Sequence, residues 1–139
     1  MKTLPIFLLS ILLFCSCSTS PINSMYFDVD AQRVRSCSFK GIGQITLQNE
    51  SIPDEEAVTI YWIDYMKPIP SSMPFSEIGA QYYISTVSSM IKIENKLFRL
   101  SANSMYRIER TEGKEATVVI YVWTDQKGKI FKTDTRECK

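Results

Sequence analysis

Ala116-Thr117-Val118-Val119-Ile120-Tyr121-Val122-Trp123-Thr124, followed by Asp125-Gln126-Lys127-Gly128 and Lys129-Ile130-Phe131-Lys132-Thr133, is the stretch that decides the fold. Its first part is built of β-branched and aromatic residues, which suit a pleated and half-buried surface. Gly128 gives the turn access to positive φ, and the segment after it returns as the second arm of a hairpin. Side chains alternate across a strand, so Ala116, Val118, Ile120 and Val122 share one face, and Thr117, Val119, Tyr121 and Trp123 share the other. The aliphatic face is the natural core side. Tyr121 and Trp123 are therefore expected outward, unless the proline-rich connection described next lies over them.

Upstream, the same period recurs. Val58 to Met66 reads as a central strand, with Val58, Ile60 and Trp62 on one face and Thr59, Tyr61, Ile63 and Tyr65 on the other. Lys67 to Pro74 holds three prolines, which exclude a helix and a central strand and make this a long connection. Residues 75–91 are double-edged. Apolar residues recur near the helical period, yet Gly79, the β-branched Ile84, Thr86 and Val87, and a run of serines oppose a helix. A turn and a strand over 81–87 is the expectation, with a short helix around 75–91 as the alternative. Ile91–Ile93 and Leu97–Leu100 read as short strands. Earlier still, Met25–Val29 reads as an edge strand. Val34, Cys37 and Phe39, then Ile45 and Leu47, read as two strand pieces bent at Gly41-Ile42-Gly43. Asn49–Ala57 is an acidic loop, and its Asp54-Glu55-Glu56 reads as a solvated turn.

Leu100-Ser101-Ala102-Asn103-Ser104-Met105-Tyr106 resembles the tyrosine corner of fibronectin type III and other Ig-like sandwiches. There, a Leu stands six positions before a Tyr whose hydroxyl returns to upstream backbone. Ala102 stands where Pro is common and Asn103 where Gly is. The resemblance implies an all-β fold, a small Ig-like antiparallel β-sandwich over residues 25–139.

The front of the chain sets a different expectation. Met1-Lys2-Thr3, an apolar run to Phe14, and Cys15-Ser16-Cys17-Ser18 have the layout of a secretory signal. The apolar run is too short for a permanent membrane helix. Its end resembles the lipobox of bacterial lipoproteins, with Ser16 before Cys17; ordinary secretory cleavage, for example after Ser18, is the alternative. The reading is a signal peptide over 1–16, lipidation of Cys17, and a lipidated N-terminus and tether over 17–24. Ser18 after the Cys resembles the sorting pattern of outer-membrane lipoproteins, which implies a periplasm-facing domain.

Cutting before Cys17 removes Lys2 and takes 16 basic residues to 15, against 15 acidic ones. A balanced charge offers no polybasic footprint for nucleic acid. Cys15 leaves with the signal and Cys17 takes lipid. That leaves Cys37 and Cys138 as a pair for a disulfide in an oxidising compartment.

The chain has no His, which removes Ser-His-Asp and Cys-His triads and imidazole acid–base work. Two cysteines destined for each other leave no zinc site. Asp28 and Asp30 lack the oxygen-ligand density of a calcium loop. The expectation is a non-enzyme with no metal and no cofactor. The aromatics Tyr61, Tyr65, Tyr121 and Trp123 are the candidate partner-binding residues, because exposed Tyr and Trp anchor protein interfaces. Cys17, Cys37 and the Leu100/Tyr106 pair, set in a short lipoprotein with one β-domain, resemble the type VI secretion immunity periplasmic lipoproteins. Pairing Cys37 with the terminal Cys138 departs from that family's mid-chain Cys. The resemblance implies an immunity protein that neutralises a delivered toxin by binding it. The alternative is an envelope structural or assembly adaptor lipoprotein.

Overall fold

The computed structural model describes residues 24–38, 40–110 and 118–138. The signal peptide, Cys17, most of the tether, Phe39, and Ala116 and Thr117 lie outside the described residues.

Two antiparallel sheets face each other. The small one has the order β1-β2-β5, from β1 (Met25–Asp28), β2 (Arg33–Ser36) and β5 (Ser72–Pro74). The large one has the order β10-β9-β8-β3-β4-β6-β7, from β3 (Gln44–Asn49), β4 (Val58–Trp62), β6 (Tyr82–Thr86), β7 (Lys92–Ile93), β8 (Met105–Arg110), β9 (Val118–Thr124) and β10 (Ile130–Thr133). Within the large sheet, β3, β4 and β6 are successive neighbours and β8 returns to lie beside β3, which is a Greek-key order. The all-β sandwich expectation holds.

The period of two explains the packing. Ile45, Leu47, Ile60, Ile84, Ile108, Ile120, Val122 and Ile130 bury one face of the large sheet against Met25, Phe27, Val34 and Met73 of the small one. Phe27 meets Phe75 edge to face at 5.5 Å, and Trp62 meets Tyr82 at 5.0 Å. Ile120 and Val122 are buried while Val119 is exposed, so the hairpin faces as its pattern requires. Gly128 has φ 77°, and a Cβ there would stand 2.4 Å from the Leu100 carbonyl oxygen, so only glycine fits.

The corner forms. Tyr106 is buried, and its hydroxyl accepts the Ser101 N–H at 2.8 Å and the Asn49 side-chain amide at 3.3 Å. Asn103 takes φ 50°, supplying the left-handed residue that a Gly would otherwise provide.

Local expectations fare differently. The turn and strand expected over 81–87 form as β6, and the alternative short helix in 75–91 does not. Gly79 and the β-branched Ile84 and Thr86 prevail, and β6 pairs with β4 along its whole length. Leu97 belongs to a 3-10 turn, Asn95–Leu97, rather than a strand; Asn95 holds it by donating to the Gly79 and Tyr82 carbonyls at 2.8 and 2.9 Å. Gly41-Ile42-Gly43 is where the chain leaves one sheet for the other, not a bend within a strand. The proline-rich connection contains the edge strand β5, which pairs with β2. A Pro is tolerated there because an edge strand needs to pair on one side only.

Sγ of Cys37 and Sγ of Cys138 meet at disulfide distance, with Cα atoms 5.5 Å apart. The tail leading to Cys138 stitches the sheets together. Asp134 takes the Tyr121 N–H on its carboxylate and gives its own N–H to the Tyr121 carbonyl, while Thr135 Oγ1 accepts the Phe27 N–H.

Candidate interaction surface

The strand register determines what the large sheet shows to water. Side chains that alternate with the buried ones are Lys132 on β10, Val119, Tyr121 and Trp123 on β9, Met105, Arg107 and Glu109 on β8, Thr46 and Gln48 on β3, Thr59 and Tyr61 on β4, and Tyr83 on β6. They form one continuous outward face.

Three of the four aromatics expected to bind a partner lie on it, though not together. Tyr61 stacks on its cross-strand neighbour Tyr83 at 5.0 Å. Trp123 stands opposite Met105 and Tyr121 opposite Arg107. β9 and β4 are three strands apart, so the two aromatic pairs are separated by roughly 14 Å across the sheet. They also sit at opposite ends of their strands. Tyr65 does not belong to this face: β4 ends at Trp62, and Tyr65 lies in the following turn with 90% of its surface exposed. The strand stops because Trp62 Nε1 donates to the Asp64 carbonyl and Lys67 N–H to the same oxygen, curling the backbone away from the sheet.

The proline-rich connection does not cover Tyr121 and Trp123. It runs to the small sheet, where Ser71 and Pro70 carbonyls accept from Ser36 and Ile42 N–H groups. Trp123 is half-buried instead by its own neighbours, with Lys132 Nζ 4.5 Å from the ring centroid. The same device recurs at the other pair, where Lys92 Nζ lies 5.6 Å from the Tyr83 ring. Between the pairs the surface is polar. Arg107 bridges Glu50 at 2.9 Å and also holds Glu109, and Thr46 meets Thr59.

One element of the surface escaped the sequence pattern. The β6–β7 tip, 87–91, exposes Val87, Met90 (77%) and Ile91 (63%), and Val87 and Met90 line a depression of about 250 Å³ together with Tyr61, Thr59 and Gln44. The tip is held firmly. Ser89 donates its N–H and its hydroxyl to the two oxygens of Glu56, Ile91 N–H donates to Thr86 Oγ1, and Val87 N–H to the Ala57 carbonyl. Met90 takes φ 55°, a costly conformation for a side chain of its size. Hydrogen bonds from Ser89 hold the Glu56 carboxyl below its ordinary range.

The acidic turn is therefore not merely solvated. Glu56 clamps the tip, and Glu55 accepts the Asn49 side-chain amide at 2.7 Å, joining the loop to the tyrosine corner. The signal was a tip of small polar residues flanked by apolar ones. Glu56 could not be assigned to it from sequence because Ser89 is 33 positions away.

Among the described residues, no three His, Cys, Asp or Glu side chains converge as metal ligands. Comparisons with family models, with curated proteins and with solved structures return no match.

Proposed function

We propose that this chain is a periplasm-facing lipoprotein, lipidated at Cys17 and anchored in the outer membrane, that acts by binding another protein. Its partner is a delivered toxin, which it neutralises as an immunity protein. The observation that carries the reading is the pairing of rigid, partly exposed aromatics with a pinned apolar tip. Tyr121 and Trp123 on β9, and Val87, Met90 and Ile91 after β6, all lie toward the end of the large sheet away from Ser24. Rigid aromatic and aliphatic anchors lose little entropy on binding, which is what makes interface hot spots.

The test is protection. The reading expects a toxin gene beside the gene for this chain; cells expressing the chain should survive that toxin, and purified chain should bind it directly. Survival lost in Trp123→Ala and Met90→Ser variants that still fold would support the reading. Binding to an envelope-assembly component, with no effect on toxin killing, would replace it with an adaptor role.

A further inference from the structure

At the end of the sandwich where β1 begins, the Ser24 carbonyl accepts the Cys37 N–H at 2.8 Å. One residue earlier, Ser36 N–H reaches the Ser71 carbonyl, and Ile42 N–H reaches that of Pro70, each at 2.8 Å. Gly41 packs so closely on this segment that a Cβ would stand 2.3 Å from the Ile69 carbonyl oxygen. These contacts set the start of the domain beside the base of the β4–β5 connection.

From that base, residues 63–69 project into solvent. Met66 is 94% exposed and Tyr65 is 90% exposed, more than any other large apolar side chain among the described residues. Ile63 and Ile69 are also exposed. Water should drive such side chains inward, but Asp64 holds the turn open: its carboxylate accepts the Met66 N–H at 3.2 Å and pairs with Lys67 Nζ at 3.5 Å. The loop is thus a fixed apolar projection with a cation at its centre.

The tether decides what such a projection meets. Six residues lie between Cys17 and Ser24, which makes seven steps, and a fully extended chain spans at most about 3.6 Å per step, or roughly 25 Å. A lipid on Cys17 therefore holds this end of the domain within about 25 Å of the bilayer and brings the projecting loop within reach of the lipid surface. Tyr sits favourably at the headgroup boundary, Met and Ile gain by leaving water, and a Lys stem extends its charge to phosphates.

We propose that the β4–β5 loop is a membrane-contact element, with Tyr65, Met66 and Ile69 seated at the lipid interface and Lys67 among the headgroups. The contact fixes the domain upright and turns Trp123 and the 87–91 tip away from the bilayer, toward an incoming partner. The inference rests on the Cys17 anchor of the proposed function.

The experiment is arranged so that the anchor and the loop can fail separately. The mature chain from Ser18, with a polyhistidine tag in place of Cys17, is held on vesicles of phosphatidylethanolamine and phosphatidylglycerol containing nickel-chelating lipid. Two fluorescent reporters are compared, Tyr65→Trp and, at the far tip, Val87→Trp, each against the same tethered chain without a reporter. The Tyr65→Trp signal should shift to the blue and be quenched by lipids brominated on their chains, and the Val87→Trp signal should do neither. Quenching should fall when Met66→Ser and Ile69→Ser are added; both positions are exposed, and circular dichroism confirms the fold. A Tyr65→Trp signal identical on vesicles and in buffer overturns the proposal, as does equal quenching at both reporters. Palmitate labelling of the native chain reports on Cys17 alone: its absence would refute the anchor whatever the loop does.

Discussion

Tyr106 and Glu56 show how single residues fix this surface. Removing the Tyr106 hydroxyl leaves the Ser101 N–H without its acceptor beside a buried ring. Tyr106→Phe should cost about 1–3 kcal/mol in urea unfolding, the penalty of a buried donor left unmade. Glu56 belongs to a different class. Its carboxylate restrains an exposed tip, so Glu56→Gln should lower stability slightly and weaken partner binding, as denaturant melts and calorimetry would show. Acid should have a similar effect. Hydrogen bonds from Ser89 hold the Glu56 carboxyl below the ordinary 4.5 of a Glu, and the Lys127 and Lys129 N–H groups hold Asp125 below the ordinary 3.8 of an Asp. A depressed carboxyl stabilises the fold above its unfolded pKa and loses that contribution as pH falls through its folded one. Stability should therefore decline below about pH 4.5. At the other extreme, burial pushes the Tyr82 hydroxyl up to about 12 from 10.0, so folding should weaken as pH rises above 10. Tyr106 was legible because a Leu and Tyr at fixed spacing mark a local turn. The roles of Glu56 and Tyr82 were not, since each depends on residues distant in sequence.

Among the elements, the β9–β10 hairpin was read correctly from its alternation alone, because one face is wholly aliphatic. Ile120→Ala should cost about 2–5 kcal/mol by leaving a cavity in the core. Trp123→Ala should leave the melting temperature close to that of the wild type, since the ring packs on the outer face against Lys132. Elements governed by tertiary pairing were harder to read. β5 was hidden by prolines that signal a loop, and only the β2 edge beside it makes a strand of Ser72–Pro74. The apolar run Val58–Met66 extends past the end of β4 at Trp62, because Asp64, a turn former, lies inside it. The aromatic set was half legible: a period of two assigns side chains to faces, but it does not say how far apart two strands will lie.

At the scale of the whole molecule, the strands followed from period, the sandwich from the Leu100/Tyr106 resemblance, and the Cys37–Cys138 pairing from cysteine arithmetic. The division of strands into seven and three did not, because it depends on where the chain changes sheets at Gly41–Gly43. The cysteine pair spans 101 positions and pins the tail that joins β9 to β1. Cys138→Ser should destabilise by up to about 4–5 kcal/mol on loop-closure grounds while keeping a β-sheet spectrum, checked by denaturant melts. Under the proposed function the two ends of the sandwich carry different tasks, the Ser24 end facing the anchor and the 87–91 end facing the partner. The most direct measurement is calorimetric titration of the toxin against which the chain protects into wild-type and Trp123→Ala chains of equal melting temperature. A loss of about 2 kcal/mol, near thirtyfold in Kd, is the expected result. Unchanged affinity in a folded Trp123→Ala chain would contradict binding through the outer face of the large sheet.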